Sequence, residues 1–190
     1  PPGSKLACVD VDDEHGGYLA GARLFAAGWR RIAFVSGPAT ERATRRRHRG
    51  LLRALYETPG GRLVESSYGD WTLESGHAQA AELLRRRTRP EAFFAANDLL
   101  ALGVARACAA AGLRPGRALG LIGYDDIESV ALADPPISSV AQPKAEIGAA
   151  AARQLISLIR GESPGRQLQL KPRLVIRRSC GRSAAAESTS

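Results

Sequence analysis

Methionine is absent from the 190 residues, and cysteine occurs only three times, at Cys8, Cys108 and Cys180. An odd number of widely spaced cysteines excludes a small fold stapled by disulfides. No CxxC pair or Cys/His cluster is present, and His15, His48 and His77 lack metal-ligand spacing, so no metal site is expected. No apolar run approaches the roughly 20 residues that a helix needs to cross a bilayer, so no membrane association is expected. Aromatic residues make up only 5% of the chain. What is present is a 44% apolar, 24% charged chain, enough to bury the core of one domain or two small lobes. Without a methionine, and opening on PPGSK, the chain reads as part of a longer protein. No signal peptide is visible at Pro1, and the cytoplasm is the expected compartment.

The net charge of +8 brings nucleic acid to mind. Yet 24 of the 27 basic residues are arginine, spread along the chain with local runs at 45–47 and 85–87. No helix-turn-helix, RRM-type or zinc-finger pattern accompanies them, so amino-acid usage is the simpler explanation.

Strand and helix patterns alternate, which predicts an α/β fold with a parallel sheet flanked by helices. Strands are expected at 7–11, 31–36, 63–68, 92–96 and 119–124, with helices at 16–27, 40–57, 72–87 and 98–111 between them. A short helix at 127–133 ends at Asp134–Pro135–Pro136, and 137–141 is extended. Pro143 and Gly161 bracket a long helix. Residues 168–178 read as a strand or hairpin, and 181–190 as a disordered polar tail.

Parallel α/β sheets take their ligands at the carboxyl ends of the strands. Arg47 is the arginine on the inward stripe of its helix, since Ala43, Gly50, Leu51 and Ala54 lie within roughly 60° of it at about 100° per residue. It would hold a ligand, or pair with a local carboxylate. Trp71 follows a strand and offers a ring face, or packs on its own lobe. Asn97 would meet hydroxyls, or cap the next helix. Asp125, after LGLIGY, would accept two hydroxyl hydrogen bonds, or close a turn. Arg, Trp, Asn and Asp after successive strands suit a small polar ring such as a sugar or nucleobase.

Catalytic templates fail. No GxSxG elbow, Walker A loop or GxGxxG after a strand is present, so no catalytic residue and no cofactor are expected.

The ordered string Asp12–Asp13 before Gly16–Gly17, LAGARLFAAGWRRIAFVSGP, RRRHRG, GDW, AAND, LIGYDD, PPISSVAQP and IGAAAARQLISLIRG resembles the effector-binding core of the LacI/GalR family of transcription repressors. The resemblance runs from about Val9 to Cys180. It implies a periplasmic-binding-protein-like fold of two α/β lobes with a small-molecule effector, most simply a sugar, between them. On that reading residues 30–142 and 162–180 make one nearly complete lobe. Residues 1–29 and 143–161 represent the other in part. The resemblance assigns effector contacts to Arg47, Trp71, Asn97 and Asp125, adds Gln142 near the hinge, and places Asp13 near a polar contact of the other lobe. Lys144 departs from the family, where a bulky residue is usual; it would favour an acidic effector or point to solvent. The resemblance also implies a homodimer, and operator DNA bound only through an absent N-terminal helix-turn-helix. A transport-type sugar-binding protein is the rival reading. The helices at 16–27 and 143–159 are expected to lose the sheet they would cover, and to bury their apolar faces in some other way.

Overall fold

The computed structural model describes residues 7–162 and 167–181. Of the tail expected at 181–190, residues 182–190 lie outside them. Eight strands and six helices follow one another along the chain. These are β1 (Cys8–Val11), α1 (Asp13–Ala26), β2 (Arg31–Ser36), α2 (Arg42–Tyr56), β3 (Arg62–Tyr68), α3 (Leu73–Arg85) and β4 (Ala92–Ala95). There follow α4 (Asp98–Ala110), β5 (Gly120–Asp125), α5 (Glu128–Leu132), β6 (Ser138–Ala141), α6 (Lys144–Ile159), β7 (Gln167–Leu170) and β8 (Arg173–Val175).

The main sheet has the order β3-β2-β4-β5-β6-β8, parallel throughout except for β8, which runs antiparallel to β6. β2, β4 and β5 are nearly continuous apolar runs because helices cover both faces. α1 and α2 pack together on one face, and α3 and α4 on the other. The core holds Phe34, Phe93, Phe94, Leu121 and Ile122 with Leu24, Leu51 and Leu100 from the helices. Chain order reverses direction between β2 and β4, which opens a crevice at the carboxyl ends of the strands.

α1 starts three residues before the expected point because the Asp12 carboxylate accepts a hydrogen bond from the His15 N–H, 3.0 Å. Its location also differs from the expectation. Instead of standing with a partial lobe, α1 keeps a sheet: Ala20, Leu24 and Phe25 are buried in the main core. The 168–178 region is not a hairpin. β7 pairs in parallel with β1, while β8 joins the main sheet. Pro172 lies between them and has no N–H to continue a ladder. A small unit of β1, β7 and α6 therefore stands beside the main one. Three chain crossings join the two, at Val11–Asp12, at Gln142–Pro143 and at Lys171–Pro172. Only Ala150 of α6 is buried; Leu155, Ile156, Leu158 and Ile159 stay exposed, so the cover expected for this helix is not found within the described residues.

The ends of the main sheet carry different chemistry. At the amino ends of the parallel strands, Arg30 and Arg31 precede or open β2, Arg62 opens β3, and Arg85–Arg87 with Arg89 precede β4. Arg114 and Arg117 precede β5, and Arg177 and Arg178 follow the antiparallel β8 to the same end. Against these eleven arginines stand five carboxylates, Glu57, Glu65, Glu82, Glu91 and Asp134. Among the described residues, arginines thus outnumber carboxylates at this pole.

Candidate functional site

The opposite end, where the parallel strands finish, collects the polar residues singled out above. Arg47 is buried in α2, 7% exposed, as its place on the inward stripe predicts. Its Nε donates to Asp13 Oδ1 at 2.8 Å, and a terminal nitrogen donates to the Ala96 carbonyl. The guanidinium carbon lies 3.6 Å from the centre of the Tyr124 ring. The arginine is therefore held from three directions by α1, the end of β4 and the end of β5.

Asp13 is the first residue of α1, where a carboxylate also faces the positive end of the helix dipole. It belongs to the main-sheet unit, as α1 does, and not to the other lobe to which the resemblance assigned it. Asp125 ends β5 with a positive φ of 107°, followed by Asp126 at 51°, so the chain turns sharply and lifts the Asp125 carboxylate off the sheet. Gln142, just past β6, donates from Nε2 to Asp125 Oδ1 at 2.5 Å. Burial raises the Asp125 pKa above its ordinary value; Arg47, the Gln142 hydrogen bond and Lys144 oppose the rise. Lys144 thus acts electrostatically on the cluster, although its side chain is exposed.

Trp71 and Asn97 form a second pair. The Trp71 ring lies over Gly37, where an added Cβ would sit 2.4 Å from the indole. Asn97 Oδ1 caps α4 by accepting from the Leu100 N–H at 2.8 Å, while its Nδ2 donates to the Trp71 carbonyl at 3.3 Å. Asn97 therefore serves as cap and tether together, and one amide hydrogen stays available. Ala96, the acceptor for Arg47, is its neighbour in the chain, which sets the Trp71–Asn97 pair beside the Arg47 cluster.

Two participants were not anticipated from the sequence. Tyr124 is fully buried and supports the Arg47 guanidinium. Burial raises its phenol above the ordinary value, so it stays neutral. The signal was the Gly16–Gly17 pair: a Cβ on Gly16 would lie 2.5 Å from the Tyr124 hydroxyl. Asp98 is the other. It accepts from the Ile127 N–H at 2.9 Å and from the Ser139 hydroxyl at 2.7 Å, and Ser139 Oγ accepts from the Asp126 N–H at 3.0 Å. This network fixes the Asp125–Asp126 turn from below.

Burial pushes the Asp98 carboxyl up to about 6. The folded state then holds the proton more tightly than the unfolded chain, so the stabilisation is complete below the unfolded pKa near 3.8 and is lost as pH rises through 6. The difference corresponds to about 3 kcal/mol at ~1.36 kcal/mol per pH unit. Asp98→Asn cannot ionise. Between pH 4 and pH 7 the wild type should lose about 2.4 kcal/mol more stability than this variant by urea denaturation. Parallel pH profiles would mean that the Asp98 carboxyl titrates as an ordinary one.

The arrangement brings hydrogen-bond donors, acceptors and an aromatic face to one end of the sheet. Ser66 Oγ and His48 Nε2 are 2.9 Å apart, but burial lowers the His48 pKa and its ring packs on Phe34 within the α2–β3 layer. Among the described residues no group of three or more His, Cys, Asp or Glu is placed to hold a metal ion. No helix is long and apolar enough to cross a membrane, again among the described residues.

Comparisons with known proteins bear on the family and the fold. The sequence model of a periplasmic binding protein-like domain matches residues 22–180. The chain is 39% identical over 182 residues to the HTH-type transcriptional regulator CelR of Thermobifida fusca, covering 94% of this chain and 53% of that protein. It is 34% identical to the HTH-type transcriptional repressor PurR of Photorhabdus laumondii, covering 87% of this chain and 49% of that protein. Among solved structures, a transcriptional regulator CelR–cellobiose complex aligns with a TM-score of 0.86 at 37% identity, over 92% of this chain and 54% of that one. The chain spans about half the length of the curated relatives it matches.

Proposed function

Because the chain belongs to the periplasmic binding protein-like family, in the form found in LacI/GalR-type regulators, we propose that it is the effector-sensing part of a transcriptional repressor. Its ligand is an uncharged polyhydroxylated molecule, a sugar or sugar derivative, held by Arg47, Asp13, Trp71, Asn97, Asp125 and Gln142. One observation carries the choice of a neutral ligand: the cluster already balances its own charge. Arg47 is paired with Asp13 at 2.8 Å, and Asp125 is held by Gln142 with Lys144 acting from outside. An anionic effector would leave a carboxylate in this half-buried site uncompensated. A hydroxylated ring instead meets acceptors on Asp125, donors on Arg47 and Asn97, and the Trp71 ring. The cellobiose bound to the CelR structure is of this class.

In the whole protein, differential affinity of the effector for two arrangements of the units shifts a population and thereby the affinity for operator DNA. The protein acts as a cytoplasmic homodimer without a catalytic step, and DNA is read by a domain outside this chain. A thermal-shift panel of neutral sugars, sugar phosphates and nucleobases tests the reading, with Asp125→Ala beside the wild type. A neutral sugar at 100 times its Kd should add about 2.7 kcal/mol, a shift of several degrees that Asp125→Ala abolishes. Stabilisation by sugar phosphates alone would overturn the neutral-ligand assignment.

A further inference from the structure

The arginine-rich pole contains a concavity that the effector reading does not use. It measures about 310 Å3 and is walled by Arg114, Arg117, Arg177 and Arg178 over a floor of Pro115, Gly116 and Pro135. We propose that this concavity is a second ligand site, for a phosphate group carried on a small organic molecule.

The charge balance supports the assignment. Three exposed guanidiniums, of Arg114, Arg117 and Arg178, face the mouth, with Asp134 as their carboxylate. Asp134 bonds Arg114 at 2.6 Å and lies 3.9 Å from Arg178. Arg117 has no carboxylate within ion-pair distance among the described residues. Arg177 reaches inward instead, to Asp126 at 2.8 Å and the Ile137 carbonyl at 3.0 Å. The mouth therefore keeps two uncompensated positive charges. It sits in the field of an arginine-rich pole, and a low-dielectric concave wall focuses that field on an anion. Guanidinium forks match the oxygen pairs of a phosphate. Arginines near helix C-termini also offset the helix dipoles, but α1 to α4 all end at this pole, and here four arginines from two separate segments line one concavity.

The backbone beneath is fixed. Gly116 has φ +83°, and an added Cβ would sit 2.0 Å from the Arg178 carbonyl, so the chain leaving β8 lies directly over the turn before β5. Gly116 N–H donates to Leu119 at 2.7 Å. Ser179 Oγ donates to the Leu121 carbonyl at 2.6 Å and accepts from Ser138 N–H at 2.8 Å, and Trp29 Nε1 donates to the Cys180 carbonyl at 3.0 Å. Only side chains need to be ordered when an anion enters. A floored concavity of about 310 Å3 fits a small organic phosphate; a duplex backbone would need an extended ridge.

Titration calorimetry with ribose 5-phosphate and with inorganic pyrophosphate, against sodium chloride at equal ionic strength, tests the proposal. Both phosphates should bind. The double variant Arg117→Ala with Arg178→Ala should bind at least tenfold more weakly, since each charge-assisted hydrogen bond contributes about tenfold or more. Both positions are exposed, so the fold is expected to persist, and circular dichroism verifies it. Asp125→Ala should bind phosphate as the wild type does, which separates this site from the effector cluster. Undiminished binding by the double variant, or heats equal to those of chloride, overturns the site; so does binding of a short DNA duplex where neither small phosphate binds.

Discussion

Gly50→Ala should lower stability by about 3 kcal/mol and the melting temperature by roughly 10 °C. A Cβ at Gly50 would stand 1.9 Å from the Glu14 carbonyl oxygen and 2.5 Å from the Tyr18 nitrogen. The crossing is reciprocal: a Cβ on Gly17 would be 2.0 Å from the Arg47 carbonyl oxygen. These are backbone atoms, with no flexible side chain to give way, so α1 and α2 would have to separate along the seam that positions Asp13 and Arg47. Gly148→Ala is the contrast. It lies in α6 with nothing within 4 Å of its added Cβ, and should raise stability by about 0.5–1 kcal/mol. Equal effects at the two positions would show that the close approach of α1 and α2 is not under steric control.

Asp13→Ala should cost about 3–5 kcal/mol, because it leaves the Arg47 charge buried without its carboxylate. The Coulomb attraction of the pair is not what this loss measures; most of it is the penalty of an unpaired buried cation. The double variant Asp13→Ala with Arg47→Met should therefore recover much of the stability, since the uncompensated charge goes and the methionine fills the space. Urea midpoints with an unchanged m-value provide the measurement. Recovery of stability in a double variant that shows no sugar-induced thermal shift would support the ligand contact proposed for Arg47 as separate from its structural role. A double variant no more stable than Asp13→Ala would show that the cost comes from packing and not from charge.

The strand–helix alternation was legible because each element carries its own period. RIAFVS and EAFFAA are too apolar and too short for anything but buried strands, and Gly28 and Gly112, both left-handed, end helices as expected. The inward position of Arg47 followed from a helical wheel alone. What could not be read was which partner an element would choose. LAGARLFAAG has one small-residue stripe whichever sheet it faces, so its place on the main sheet depended on the Gly17–Gly50 approach, 33 residues apart in the chain. The division of 168–178 into β7 and β8 depended on pairing with β1 and β6 at long range. Asp98 was hidden because a carboxylate at a helix start has an ordinary explanation as a dipole partner; its engagement with Ser139 and Ile127 exists only once β6 is beside β5. Asn97 shows that capping and placement at a candidate site are compatible, where the sequence offered them as alternatives.

The three crossings between the main and small units differ in torsional stiffness. Two contain a proline, Pro143 and Pro172, whose rings lock one backbone dihedral each. The third, Val11–Asp12, has no proline, but Val11 is paired with Leu170 in the β1–β7 ladder, the Asp12 N–H donates to the Leu170 carbonyl at 2.9 Å, and Asp12 leads straight into a capped helix. A swing of one unit against the other therefore has few soft bonds to use. It must behave as a hinge with a defined axis rather than a loose tether, and the Gln142 that holds Asp125 stands next to one of its pivots.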